Sequence, residues 1–280
     1  MIALVCPRST PIRFFSNKAR VGMNVKVAEL SFIGPEVTLE DKVQVDQFSV
    51  IQGRTVLGEG THVYPLACVG GEPQSKKSKH VLSTVIGKRC MIREHVTVNA
   101  GTLNTTQVGN DVWLLAGCHV GHDARVGNSV VVSNASQIAG HVIVEDYCNL
   151  GGLSGIQQFC VVGRGSMIGG GAIVDSHVPP YSLVLGNRAR FRGINIRGLR
   201  NRKIPNTYIK PLLRISREVY SSKDVTINAE HLLTSTNEIN SEEWSLAKEF
   251  LEFIRKIGNV TGAWCVRRAA LPITRPWSGV

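Results

Sequence analysis

The sequence predicts a β solenoid plus α architecture: a parallel β-helix of about seven coils followed by a small C-terminal α-helical domain. Three observations lead there. Ile, Leu or Val recurs every six residues through most of residues 33–174. A small or β-branched residue follows these aliphatics four positions later. Beyond Val174 that period stops, and apolar residues appear at helical spacing instead.

The frame starts at Ile33 and steps through Leu39, Val45, Ile51, Leu57, Val63 and Val69. It resumes at Ile86, Ile92 and Val98, slips by four residues, and continues from Val108 to Val174; all 22 positions are Ile, Leu or Val. A period of six fits neither the 3.6-residue helix nor strand alternation, but it fits a hexapeptide β-helix. Each hexad supplies a short strand and a corner, with the aliphatic inward and the small residue (Cys118, Ala124, Ser136, Cys148, Ser154, Cys160) where the backbone bends. Three hexads close an 18-residue coil, and coils stack at roughly 4.8 Å. Gly109-Asn110, Gly127-Asn128 and Glu145-Asp146 are expected to take left-handed torsions at corners. Residues 70–85 and 104–107 fall out of frame and are expected to loop outward, where binding residues commonly sit.

The domain limits follow. Residues 29–185 form the β-helix and 186–257 a C-terminal helical domain, with Pro179-Pro180 marking the exit. Helices are expected at 206–221, 226–236 and 241–257, with Pro205 and Ser241 as starts and Pro211 kinking or shortening the first. Residues 258–280 receive no structural assignment. Residues 1–28 hold Arg8, Arg13, Lys18, Arg20 and Lys26 and no acid, and read as a mitochondrial transit peptide cleaved near Phe15–Ser16. A plastid address, a disordered basic tail and a cytoplasmic protein are the alternatives.

The formal charge is +11, and ten Lys or Arg lie between Arg188 and Arg217 without one Asp or Glu. Such a block attracts anions, such as a nucleotide diphosphate, an acidic protein or a membrane surface. Aromatic residues barely interleave with it, which argues against nucleic acid. No apolar run is long enough for a transmembrane segment. Seven cysteines without paired spacing argue against a disulfide framework and for a reducing compartment.

An 18-residue lap also aligns polar residues. His122, Gly140 and Gln158 fall in one column, Asp123, His141 and Phe159 in the next, and His119 on the strand before. A histidine can take a proton from a hydroxyl, a carboxylate can orient it, and an unshielded glycine N–H can hold an oxyanion. The plainer reading is a set of satisfied corner residues. A zinc site needs three converging histidines, and His95 lies out of column, so no metal is expected.

The motifs "CHVGHD" (118–123), "IAGHVIVED" (138–146), "QQFCVVG" (157–163), "VPPY" (178–181) and "RGINIRGLRNR" (192–202) resemble the UDP-N-acetylglucosamine O-acyltransferase family of lipid A synthesis. The resemblance implies a left-handed β-helix, a homotrimer with sites between prisms, and no cofactor. It implies transfer of a (R)-3-hydroxyacyl chain from acyl carrier protein to the 3-hydroxyl of a UDP-amino sugar. His122 would be the base, Asp123 its support and Gly140 the oxyanion donor. His119, His141, Gln158, Gln74 and Lys77 would contact the sugar or diphosphate, Asn195 and Arg202 the uridine and phosphates, and Gly170 the acyl groove. Several positions depart from the family pattern: Ser75 stands for an acid, Asn99 and Gln157 for histidines, Arg197 for a glutamate and Asn201 for an arginine. The alternatives are an N-acyltransferase on a related nucleotide amino sugar, and a non-catalytic or carbonic anhydrase-like β-helical subunit.

Overall fold

A computed structural model describes residues 14–76, 82–222 and 224–261. Among the described residues three sheets of nine, eight and ten short strands form the walls of a prism, parallel and taking every third strand of the chain up to the closing hairpin of the ten-stranded sheet. Across the first wall His119 pairs with Gln137 and Gln137 with Gly155, so one lap is 18 residues. Each strand presents one aliphatic inward, and Ile92, Leu114, Val132, Ile138, Leu150 and Ile168 are fully buried. Cys90, Cys118, Cys148 and Cys160 are free and fill the interior between them. Burial pushes the Cys148 thiol up to about 12 and Cys118 to about 11, which suits packing rather than chemistry.

The solenoid is longer than expected, with about nine turns. Strands Phe14–Phe15, Arg20–Val21 and Lys26–Val27 pair with those of the next coil. The transit or tail reading of residues 1–28 is therefore corrected for residues 14–28: Phe15, Val21 and Val27 continue the six-residue frame backward from Ile33. Residues 1–13 lie outside the described ones. At the other end Val184 pairs with Ile168 across a shortened 16-residue lap. Strand Ser182–Leu185 then turns back on Arg190–Ile194 as an antiparallel hairpin.

The corners differ from expectation in an instructive way. The left-handed residue is the fourth of each hexad: Asp111, Ser129 and Tyr147 at one edge, Asp123, His141 and Phe159 at another. Most are not glycine, because the repeat imposes the torsion and rewards it with a coil-to-coil bond, such as Tyr147 N–H to the Asn128 carbonyl at 2.9 Å. Gly109 serves close approach instead, since a Cβ there would lie 2.7 Å from the Gly127 backbone. Asn128 and Asp146 accept the N–H groups of Asn110 and Asn128 from the preceding coil, at 2.9 and 2.7 Å.

Four helices follow: α1 (Ile196–Asn201), α2 (Asn206–Val219), α3 (Val225–Ser235) and α4 (Ser245–Thr261). Helix α2 runs through Pro211 without shortening there, because Ile209, Leu212, Ile215 and Val219 bury one continuous stripe. Two 3₁₀ turns, Asn237–Asn240 and Glu242–Trp244, delay α4 to Ser245. Phe191 of the hairpin stacks on Tyr220 at 4.3 Å, and the Tyr181 hydroxyl donates to Glu249 of α4, so the helices are fastened to the prism. No helix is long and apolar enough to cross a membrane among the described residues.

Leu150→Ala leaves a void in a cross-section that neighbouring coils hold rigid. It should cost about 2–5 kcal/mol, read as a lower urea midpoint. A loss well under 1 kcal/mol would mean that the interior relaxes.

Candidate active site

The site begins with a slip in the repeat. Ten residues separate Val98 from Val108 instead of six, and the extra chain folds as a tight loop over residues 100–105. Gly101 makes that loop possible, since a Cβ there would collide with the Asn104 carbonyl. The loop wraps the Asp123 carboxylate, whose side chain is fully buried. Asn104 N–H donates to Oδ1 at 2.6 Å, Leu103 N–H to Oδ1 at 2.8 Å and the Thr102 hydroxyl to Oδ2 at 2.7 Å. Burial alone would raise the Asp123 pKa. The donors of Asn104, Thr102, His122 and Leu103 outweigh it and hold the carboxyl well below the usual range.

His122 Nδ1 lies 2.7 Å from Asp123 Oδ2. That contact makes Nδ1 the donor, so in a neutral ring the lone pair lies on Nε2. The ring lies against the next coil. A Cβ on Gly140 would stand 2.7 Å from both Cε1 and Nε2, so only glycine admits the ring there. Ala139 N–H donates to Ile156 and His141 N–H to His122, while the Gly140 N–H has no partner among the described residues. His141 meets His122 edge-on at 5.0 Å, stacks on Phe159 at 4.8 Å, and brings Nε2 to 3.7 Å from Asp123 Oδ2. His119 Nδ1 is 2.8 Å from the Thr97 hydroxyl. Burial, and secondarily the neighbouring His122, lower its pKa and favour the neutral ring.

His119, His122, Gly140, Gln158 and Gln74 line one groove of about 460 Å³ along the first wall, together with Asn99, Gln137 and Gln157. Asp123 stands behind His122, and His141 around the corner. Gly170 stacks on Gly152 and precedes the strand Ile173–Val174, whose Ile173 does line the groove. Lys77 lies outside the described residues. Asn195 and Arg202 do not reach this groove. Asn195 caps α1, accepting from Gly198 N–H at 3.0 Å, and donates to the Gly165 carbonyl at 2.9 Å. Arg202 lies over the Tyr147 and Tyr181 rings at a different edge of the prism.

Sequence reasoning placed the excursion at 104–107, whereas Thr106–Val108 is a strand and the loop spans 100–105; it therefore missed Thr102 and Leu103 and gave Asn104 no role, although the four-residue slip was the available signal. His122, Asp123 and His141 place donor atoms within 4.8 Å of one another, close enough for an ion. Both Asp123 oxygens are already engaged by N–H and O–H donors, which suits a hydrogen-bonded relay better than a metal ligand.

An imidazole clamped by a buried carboxylate, beside a backbone N–H unpaired among the described residues, can remove a hydroxyl proton and stabilise an oxyanion. Comparison with known proteins assigns the context. Residues 177–261 match the family model described as Udp N-acetylglucosamine O-acyltransferase, domain 2. Over 198 residues the chain is 37 % identical to the acyl-[acyl-carrier-protein]--UDP-N-acetylglucosamine O-acyltransferase of Agrobacterium fabrum, covering 69 % of this chain and 73 % of that protein. The chain belongs to the UDP-N-acetylglucosamine O-acyltransferase family.

The Sinorhizobium fredii enzyme of the same name is 39 % identical over 218 residues, covering 76 % of this chain and 81 % of its own. A crystal structure of a UDP-N-acetylglucosamine acyltransferase superposes with a TM-score of 0.85 at 29 % identity, covering 94 % of this chain and 99 % of that one. The coil is accordingly the left-handed parallel β-helix of these acyltransferases. The Agrobacterium fabrum and Sinorhizobium fredii relatives are bacterial proteins, which overturns the mitochondrial placement expected from the N-terminal residues.

The Asp123 carboxylate stabilises the fold only while charged. Its folded pKa is depressed, so its contribution is present above the unfolded value of about 3.9 and disappears as pH falls through the folded value. Asp123→Asn should therefore melt well below the parent at pH 7, and the gap should narrow progressively as pH falls below about 4. A gap independent of pH would assign Asp123 a packing role only.

Proposed function

We propose that this chain transfers a (R)-3-hydroxyacyl group from acyl carrier protein to the 3-hydroxyl of UDP-N-acetylglucosamine, with His122 as general base. The observation that carries this reading is the His122 ring held between the Asp123 carboxylate and Gly140 in the groove of a family member. His122 Nε2 takes the proton of the sugar hydroxyl as its oxygen attacks the thioester carbonyl. The charge that develops on the carbonyl oxygen meets the Gly140 N–H. Collapse expels the carrier's thiolate, which takes back the proton from His122. Asp123 keeps the ring oriented and stabilises the transient imidazolium. His119, Gln158 and Gln74 are polar contacts for the sugar nucleotide. His141, beside Asp123 and Phe159, and Lys77, on the same loop as Gln74, would meet its sugar or diphosphate. Gly170 leaves room for the acyl chain. The exposed Arg and Lys of residues 188–217 offer an acidic carrier protein a surface of opposite charge. No step requires a cofactor.

The position of Asn195 and Arg202 supports a homotrimer. They lie at another edge of the prism, so they contact a substrate beside His122 only when a neighbouring prism presents that edge to the groove. The departures Ser75, Asn99, Gln157, Arg197 and Asn201 alter polar groups around this assembly and leave the His122–Asp123 pair intact.

His122→Ala should lower transfer to UDP-N-acetylglucosamine by about 10²–10⁴-fold while the protein stays folded. Arg202→Ala should also be impaired. Coexpressed, the two inactive variants should regain activity in mixed trimers, because about a quarter of randomly paired sites would be intact. Full turnover by His122→Ala would reject the base; absence of rescue would reject a shared site. An ester product separates this reaction from N-acylation.

A further inference from the structure

The motif Val178-Pro179-Pro180-Tyr181 ends on a side chain that the reaction above does not use. Tyr181 is buried, and its backbone is pinned on both sides. Its N–H donates to the Arg164 carbonyl at 2.7 Å, and its carbonyl accepts from Asn195 N–H at 2.6 Å. Its hydroxyl donates to Oε2 of Glu249 on α4. The other oxygen of that carboxylate lies 3.9 Å from Arg164 Nε. Burial, and then Glu249, raise the Tyr181 pKa, so the hydroxyl keeps its proton and its role as donor.

Register places this ring beside Arg202. Leu150 pairs with Ile168 and Ile168 with Val184, so Tyr147, Gly165 and Tyr181 stack along one edge of the prism. The Arg202 guanidinium occupies the gap that Gly165 leaves, 5.1 Å from the centre of the Tyr147 ring and 5.7 Å from that of Tyr181. A Cβ on Gly165 would stand 2.5 Å from Arg202 Nη2. Two aromatic faces attract the cation and restrict its plane. Arg202 Nε donates to the Gly198 carbonyl at 3.4 Å, while Nη2 is buried and has no hydrogen-bond partner among the described residues. A buried guanidinium donor without an acceptor is costly, and a ligand oxygen would satisfy it.

We propose that Tyr181 is a positioning residue: tethered to Glu249, it holds Arg202 in the orientation that receives the phosphates of the sugar nucleotide. This rests on the function proposed above, in which Arg202 contacts that substrate. A guanidinium grips phosphate through its planar fork, so the angle of the plane decides how many bonds form. Without the hydroxyl bond the Tyr181 ring is held by packing alone, and the guanidinium against it loosens too. Because Glu249 belongs to α4, the tether also couples the helical domain to nucleotide binding. Tyr181 itself touches no reacting atom.

The test is a double-mutant cycle on the full chain, read as the Kd of UDP-N-acetylglucosamine by calorimetry. Tyr181→Phe should bind roughly three- to tenfold more weakly, the size of one net hydrogen bond. Arg202→Ala should bind at least about tenfold more weakly. Adding Tyr181→Phe to Arg202→Ala should weaken binding no further, because the tether acts through the guanidinium. Glu249→Ala should match Tyr181→Phe, and Glu249→Gln, which keeps an acceptor, should weaken binding less. A purely structural role for Tyr181 would lower the Tm of Tyr181→Phe and leave its Kd unchanged, or would multiply the two losses in the double variant. Either result overturns the proposal, as does an Arg202→Ala that binds like the parent. A parent that shows the coupling but does not acylate the sugar rejects the acyl-transfer reading and leaves Tyr181 assigned. A parent that acylates while the two losses multiply does the reverse.

Discussion

Everything in this molecule depends on the backbone hydrogen bonds between successive laps. Strands of two residues have no stability of their own, and each survives because the laps above and below satisfy its amides. The lap length then becomes a constraint on chemistry. With 18 residues per turn, His122 and Gly140 must stack, and with them Asp123, His141 and Phe159. A prism of this kind brings together residues far apart in the chain with the precision of a strand ladder. That suits the proposed pairing of a base with an oxyanion donor, where relative position governs the rate.

The second constraint is electrostatic. A carboxylate as buried as Asp123 is unfavourable unless donors surround it, and here a short loop exists to provide them. Because the charge is fixed by the fold, the adjacent imidazole works against a permanent negative partner. The stability contributed by the loop and the orientation of the base have the same origin. Removing the Thr102 hydroxyl should therefore be felt at His122, although the Thr102 side chain does not line the groove.

Much of this was legible in the sequence. The inward aliphatics, the 18-residue columns and the grouping of His119, His122, Gly140 and Gln158 follow from counting, because a solenoid converts sequence separation directly into distance. The misreadings share a cause. Phe15, Val21 and Val27 fit the frame but sit among arginines and lysines, and outward-facing charge says nothing about an inward-facing period. Gly109 looked like a left-handed residue and is a close-approach residue, since the repeat can hold even Tyr147 and Phe159 left-handed. The loop over Asp123 was visible only as a slip in register, because donation by backbone N–H leaves no side-chain signature. Asn195 and Arg202 could not be located by lap arithmetic at all, as they follow the last regular coil.

The central claim is that one lap of the coil presents His122 Nε2 to the sugar's 3-hydroxyl. A crystal structure of the protein with UDP-N-acetylglucosamine tests it most directly. The account predicts the 3-hydroxyl oxygen within hydrogen-bonding reach of His122 Nε2, about 2.6–3.2 Å, with the hexosamine lying in the groove of the first wall. A sugar seated away from that groove, or turned so that another hydroxyl faces the imidazole, would contradict it.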